Sequence, residues 1–284
     1  MARRALRQSM WLLIAWLLGS GAASALGQGV AMVTDVTGQV TGPSPVTILS
    51  EIAADTRMQV DPGGRLVVIY LKSGDEYTFT GPAQIQFRAV EPQVTSGSAP
   101  QKRVSPLARG GNVAIKPVAV TQAAFVMRSV QPSARIRLLT LSGAKTLETA
   151  PEFRWRGLES GARYRFELND DTGKLLFETE ITGNSLKLPP AVQLREGVTY
   201  AWEVSTRGQD GRRYVGAGEF TLAASPVRAQ AAALRPAAGT PVSDRVAYAA
   251  WLEQMELKDE ARKYWKSLAA ERPDDARLKA LAAD

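Results

Sequence analysis

The sequence predicts a mainly β chain in which two β-modules stand in tandem before a short C-terminal α-helical hairpin. Three observations predict it. Apolar and polar residues alternate with period two across much of 30–88 and again across 129–224, as strands with one wet face require. Turn-forming clusters interrupt both stretches, at Asp61-Pro62-Gly63-Gly64, Gly81-Pro82, Asn169 to Gly173 and Gln209-Asp210-Gly211. Beyond Pro241 the apolar spacing changes to the 3.6-residue period of a helix.

Residues 1–25 have the three-part layout of a secretory signal peptide: Arg3, Arg4 and Arg7, an apolar run from Met10 to Leu18, and small residues ending in Ala23-x-Ala25. The apolar run is shorter than the roughly 20 residues of a membrane span. Cleavage after Ala25 and a periplasmic address are expected. Retention as an uncleaved inner-membrane anchor is the alternative.

The first module spans 26–128. Val33, Val36 and Val40 surround Gly38, and Arg65 to Leu71 is an apolar, β-branched run that reads as a strand buried on both faces. Lys72 to Asp75 turns the chain so that Glu76 to Thr80 pairs back as a hairpin. Ala83, Ile85 and Phe87 then alternate with Gln84, Gln86 and Arg88. The series Val33-x-x-Val36-x-Gly38-x-Val40, the strand from Gly63 to Leu71, Ser73-Gly74 and Gln84 to Phe87 resembles a FecR-type periplasmic domain over about sixty residues. The resemblance implies an all-β module. In some relatives it lies behind a membrane helix and a cytoplasmic anti-sigma segment and relays a transporter's signal. Here only a handful of residues precede the apolar run, so no anti-sigma segment is expected. An unrelated small β-barrel or sandwich fits the same pattern. Residues 89–112 have the Pro, Gly and Ser content of a loop, and they are basic. Val113 to Val120 and Ala123 to Met127 are assigned as further strands.

The second module spans 129–224. Alternation places strands at Arg135 to Thr140, Glu152 to Arg156, Arg163 to Asn169, Leu175 to Ile181, around Leu186 and Leu188, at Tyr200 to Val204 and at Val215 to Leu222. Seven short strands fit an immunoglobulin-like sandwich. Pro151 to Trp155, a Tyr-x-Phe strand and Gly197-x-x-Tyr200-x-Trp202-x-Val204 resemble fibronectin type III-like domains of bacterial envelope proteins. The Asn169 to Gly173 turn lacks the alternating oxygen ligands of a calcium loop and reads as a hairpin turn.

Residues 225–242, rich in alanine and proline, read as a linker, and 243–284 as helices. Ser243 is the expected N-cap with Asp244 in the first turn. Tyr248, Trp251, Leu252 and Met255 form one apolar stripe, and Ala261, Tyr264, Trp265 and Leu268 form another. Pro273 ends the second helix. Ala249, Ala261, Trp265, Leu268 and Pro273 resemble the key places of one tetratricopeptide repeat, although Arg245 stands where that pattern has tryptophan.

Composition narrows the function. The 284 residues include no cysteine and no histidine. Disulfides, thiolate metal sites and cysteine nucleophiles are excluded, and the commonest zinc ligand and general base are missing. The net charge of +7 falls to +4 once the signal leaves, and 88–128 alone carries +5. Basicity is therefore local, and no nucleic-acid partner is expected. No catalytic residue, cofactor or metal is assigned. Paired-carboxylate hydrolysis would need two acids facing each other, and Glu152, Glu167, Glu178, Glu180 and Glu203 read as wet-face residues instead.

Two sets of candidate contact residues stand out. Lys102, Arg103 and Arg109 in the basic loop suit an anionic membrane or another acidic envelope surface, and they suit a solvated loop equally. Tyr248, Trp251, Tyr264 and Trp265 either pack within the chain or leave an aromatic face for a partner protein or a second copy. The expected function is that of a non-catalytic periplasmic FecR-domain protein, a scaffold, adaptor or signalling component binding other envelope proteins. The alternative is peptidoglycan or other envelope glycan binding through polar sheet residues such as Gln84, Gln86, Arg154, Arg156, Arg163 and Arg165.

Overall fold

The computed structural model describes residues 29–109 and 135–283. The expected signal peptide and the strands expected at 113–127 lie outside the described residues. The chain is mainly β, with all but one of its described helices at its C-terminal end.

The first module is two sheets face to face. One has the order β3-β1-β5-β6-β9, from strands β1 (Gly29–Thr37), β3 (Glu51–Ala53), β5 (Arg65–Tyr70), β6 (Asp75–Thr80) and β9 (Gln101–Val104). The other has the order β2-β4-β7-β8, from β2 (Val40–Thr41), β4 (Arg57–Val60), β7 (Ala83–Phe87) and β8 (Pro92–Gly97). Leu66, Val68, Tyr70, Tyr77, Phe79, Ile85 and Phe87 fill the space between them. The turn before β7 requires glycine at 81, because a Cβ there would lie 1.8 Å from the carbonyl oxygen of Asp61. The stretch expected to be a basic loop instead supplies β8 and β9, followed by the one-turn helix α1 (Pro106–Arg109). The reason is pairing: Ile85 faces Val94, and Glu76 faces Arg103.

The second module is a sandwich. Its larger sheet has the order β10-β16-β15-β12-β13, from β10 (Ala144–Thr146), β12 (Arg163–Asn169), β13 (Leu175–Thr182), β15 (Thr199–Arg207) and β16 (Arg213–Leu222). β11 (Glu152–Arg154) and β14 (Ser185–Lys187) form the smaller sheet. Phe153, Trp155, Tyr164, Phe166, Trp202 and Phe220 build an aromatic core. Tyr200, at the start of β15, accepts a 2.6 Å hydrogen bond from the backbone N–H of Arg195, the tyrosine corner of immunoglobulin-like sandwiches. That bond explains the Gly197-x-x-Tyr200 motif. The strand expected at 135–140 is reduced to isolated bridges, Arg135 to Val215 and Leu138 to Trp155.

Four further helices follow: α2 (Ser225–Leu234), α3 (Val242–Gln254), α4 (Lys258–Glu271) and α5 (Ala276–Ala283). α2 occupies the expected linker. Alanine favours helix, and Pro226 sits in the first turn, where its missing N–H costs nothing. The Glu196 carboxylate accepts from the Ser225 N–H at 2.9 Å, which pulls that carboxyl below its usual range and pins α2 to the second module. Ser243 is not the N-cap of α3. Pro241 occupies that place, and the Ser243 hydroxyl turns inward.

The helices lie against the outer face of the sheet containing β1 and β5. Met32 and Ile69 from that face join Ile48, Leu49, Leu107, Val246, Ala250, Trp251, Trp265 and Leu268 in one core. β5 is therefore buried on both faces, as its unbroken apolar run requires. Truncating Trp265 to alanine is expected to cost about 3–5 kcal/mol, the range for a buried tryptophan. Urea unfolding followed by circular dichroism measures it, and a loss under 1 kcal/mol would contradict the packing.

Candidate functional site

The four aromatics singled out in the helices do not form an open face. Tyr248, Trp251 and Trp265 are 2%, 1% and 1% exposed, and Tyr264 is partly buried beside them. Tyr248 stacks on Trp251 with ring centres 5.8 Å apart and meets Tyr264 edge-on at 5.0 Å. The Tyr248 hydroxyl donates to the carbonyl oxygen of Ala231 on α2 at 2.8 Å, and burial pushes its pKa up to about 12. The expectation of an aromatic docking surface is thereby corrected. A single helical hairpin has two apolar faces to cover, and this chain covers the second with its own sheet and α2.

The basic loop residues are likewise engaged. Lys102 pairs with Asp75 at 2.9 Å and sits over the Tyr77 ring. Arg103 reaches inward from β9. Its Nε donates to Glu76 Oε1 at 2.7 Å, and its Nη2 donates to Asp244 Oδ1 at 2.6 Å and to Ser243 Oγ at 3.1 Å. One guanidinium thus ties two strands of the first module to the first turn of α3. Arg109 ends α1, and its side chain lies outside the described ones. Neither Lys102 nor Arg103 stands as a free cation for a lipid surface.

Glu76 is the unusual member of this cluster. It is 2% exposed, its Oε2 has no hydrogen-bond partner, and the Asp244 carboxylate shares its arginine. Burial pushes the Glu76 carboxyl above the usual range, while Arg103 pulls the other way. A second clasp holds the far end of the hairpin. Asp35 on β1 accepts from Arg65 at 2.8 Å and from Arg272, just past α4, at 2.5 Å. Sequence reasoning missed both clasps. The sequence places Glu76 only in the hairpin strand Glu76 to Thr80 and assigns it no partner. The available signal was Arg65 to Leu71, whose two apolar faces imply a covering layer over the neighbouring strands.

The helices also grip the second module. Asp259 Oδ2 accepts from the Leu141 N–H at 2.6 Å, while the Leu141 carbonyl accepts from Trp202 Nε1 at 2.8 Å. Lys145 donates its N–H to the Glu256 carbonyl at 3.0 Å and pairs its ammonium with the Glu256 carboxylate at 2.6 Å. Leu141 and Glu256 both hold left-handed backbone angles, with φ of 54° and 62°. The short α3–α4 turn therefore fits against the second module in a constrained shape.

The remaining candidates lie on exposed faces. On the larger sheet of the second module Arg165 bridges Glu167 and Glu178 at 2.8 Å each, and Arg213 pairs with Glu203 at 2.8 Å. Arg154 pairs with Glu152, while Arg156 and Arg163 are exposed. In the first module Gln59 faces Gln84 and Gln86 faces Gln93 across neighbouring strands, with Arg57 beside them. Two open recesses, of about 570 Å³ at Arg88 to Gln93 and about 460 Å³ at Gly157 to Ala162, each contain one carboxylate, Glu91 and Glu159. Among the described residues no cluster of three acids is placed to hold a metal. Asp170 spends its Oδ1 on the N–H groups of Thr172 and Lys174 and on the Thr172 hydroxyl, as a turn residue does.

No family model and no curated protein matches the chain. Solved structures share parts of it. CopC from Methylosinus trichosporium OB3b is 22% identical, covers 31% of this chain and 93% of its own, and gives a TM-score of 0.25. The fn3 domain of the human collagen alpha-1(XX) chain is 19% identical over 39% of this chain and 92% of its own, also with a TM-score of 0.25. A tetra-tandem repeat from the extending region of a large adhesion protein is 10% identical over 67% of this chain and 50% of its own, with a TM-score of 0.23.

Two measurements probe the Arg103 cluster. Arg103→Met leaves two carboxylates buried without a cation. A loss of about 2–4 kcal/mol is expected, tempered by the partial exposure of the arginine. The second is the pH dependence of Glu76→Gln. The raised pKa means that the folded chain holds this proton more tightly than the unfolded chain, whose glutamate titrates near 4.5. The associated stability is complete below that value and is lost as pH rises through the folded pKa. Relative to Glu76→Gln, the native chain should gain stability on acidification from neutral pH. Parallel stability–pH curves for the two proteins would refute the assignment.

Proposed function

We propose that this chain is a non-catalytic scaffold or adaptor of the bacterial envelope, exported to the periplasm, that binds other proteins through its β-modules. The address rests on the signal-peptide layout of 1–25. The adaptor reading rests above all on one arrangement: a helical unit with buried contacts to both β-modules, which presents their outer faces as parts of one body. Such a unit positions surfaces and needs no reacting group. The FecR-like pattern of 33–87 is what supports a signalling component as one form of this role, beside scaffold and adaptor. The tetratricopeptide-like helices serve in this reading as the internal brace, and partner contact moves to the sheets. Self-association and contact with an anionic membrane remain subordinate roles, because the aromatic stripe and the basic pair are already engaged within the chain.

A second reading is favoured by a specific observation. Gln59, Gln84, Gln86 and Gln93 set amide groups side by side on one sheet face, and paired amide donors and acceptors suit a hydroxyl-rich glycan such as peptidoglycan. No aromatic platform stands among the outward residues of those strands.

The two readings separate in one experiment. A photo-crosslinking residue at Gln84 or at Glu180 is introduced into the full chain, which is expressed in a bacterial envelope. In parallel, purified protein is sedimented with isolated sacculi. The adaptor reading expects discrete crosslinked protein bands and no cosedimentation. Cosedimentation without crosslinks would transfer the case to the glycan reading. Accumulation of the chain in the cytosol would remove both.

A further inference from the structure

Among the described residues, the sandwich of the second module is open along one flank. β13 pairs with β12 alone and β14 with β11 alone among the described residues. Only Gly183 and Asn184 separate these two edge strands in the chain, so both open edges lie on the same side. β13 is the longest edge strand described, with eight residues. β8, the next longest at six, begins at Pro92, and the other edges are four residues or fewer. Free strand edges are usually blunted by proline, lysine, a bulge or a covering segment. β13 contains neither proline nor lysine, and its register shift against β12 falls at Leu176, next to its first residue, so the edge from Phe177 to Thr182 is regular. The apolar side chains beside it are incompletely covered: Leu176, Phe177 and Ile181 on β13 and Leu186 on β14 are partly buried, and Leu175 is 48% exposed.

Charge decides what this edge accepts. Phe177, Thr179 and Ile181 pair with the core positions Leu168, Phe166 and Tyr164, so Glu178, Glu180 and Thr182 point outward. Glu178 continues a row of three glutamates across the sheet, with Glu167 and Glu203. Arg165 stands opposite Glu180 in the register but pairs with Glu167 and Glu178, Arg213 pairs with Glu203, and Glu180 has no ion pair among the described residues. A second copy of β13 laid antiparallel about Thr179 would set Glu178 against Glu180 of the other copy and Glu180 against its Glu178, and like charges in opposed positions destabilise a pair. The same geometry attracts a strand with basic residues at alternate positions.

We propose that the β13 edge is a docking site for an extended peptide segment of a partner, added as a further strand, with lysine or arginine opposite Glu178 and Glu180 and small apolar residues between them. Main-chain hydrogen bonds supply the attachment, and the alternate side chains supply the choice of partner. The proposal names a partner chemistry for the adaptor reading and rests on that reading.

The test uses the mature full-length chain and two blocked hexapeptides, Lys-Val-Lys-Val-Lys-Val and Glu-Val-Glu-Val-Glu-Val. Backbone amide exchange is followed along the chain as each is titrated. The lysine peptide should slow exchange several-fold within 175–182, and the glutamate peptide should not. E180K removes a carboxylate that holds no ion pair, so the fold is kept. It should weaken the lysine peptide several-fold, and E178K/E180K should reverse the preference. Protection elsewhere, equal effects of the two peptides, or an E180K protein that binds like the native one would overturn the proposal. Peptide binding at 175–182 with no crosslinked partner in the envelope would sink the adaptor reading and leave the site. Crosslinked partners with no effect at 175–182 would do the reverse.

Discussion

A sheet that buries both faces needs a layer on each side, and that constraint organises this molecule. β5 has apolar side chains pointing both ways. Its inner face is covered by the opposing sheet of the same module. The outer face, with Met32 and Ile69, is covered by helices that begin more than a hundred residues later in the chain. Burial of that apolar area supplies the attraction. The charged groups at its margins supply the register: Arg103 between Glu76 and Asp244 at one end, Arg272 on Asp35 at the other. A buried ion pair adds little net stability over an apolar substitute, yet it strongly penalises any docking that leaves one partner alone. The two clasps therefore act on where the helices sit more than on how tightly they hold.

That placement carries the second module with it. The α3–α4 turn meets Leu141 and Lys145, and Leu141 is tied through its carbonyl to Trp202 in the middle of the aromatic core. α2 is anchored at its first turn by Glu196 and contributes Ala231 and Leu234 to the helical core. A chain that reads as three modules joined by linkers is thus connected through buried contacts, and its helices act internally. Among the described residues, the surface outside these contacts includes polar sheet faces and one long strand edge.

Much of the architecture was legible in the sequence because it depends on local rules. The Lys72 to Asp75 turn placed the hairpin strand at Glu76 to Thr80, and period-two alternation placed the strands at Ala83 to Phe87, Arg163 to Asn169 and Tyr200 to Val204. The 3.6-residue period placed α3 and α4, and Pro273 marked the end of the latter. Errors arose where one composition serves two structures. Alanine and proline at 225–234 suit a linker or a helix, and Ser243 suits a cap or a buried hydrogen bond. Proline, glycine and serine at 89–104 were consistent with a loop until pairing with β7 and β6 made strands of them.

The candidate site was far less legible. The sequence by itself determined the β character, the turns, the helical stripes and the lack of cysteine and histidine chemistry, because each follows from neighbouring residues or from composition. Only the tertiary structure decided that Trp251 and Trp265 face inward, that Arg103 and Glu76 meet Asp244, and that β13 has a single neighbouring strand among the described residues, with Glu178 and Glu180 on it. Exposure of a side chain depends on which distant element covers it. Residues 141 positions apart in the chain come within hydrogen-bonding distance here, and no local period encodes such a meeting.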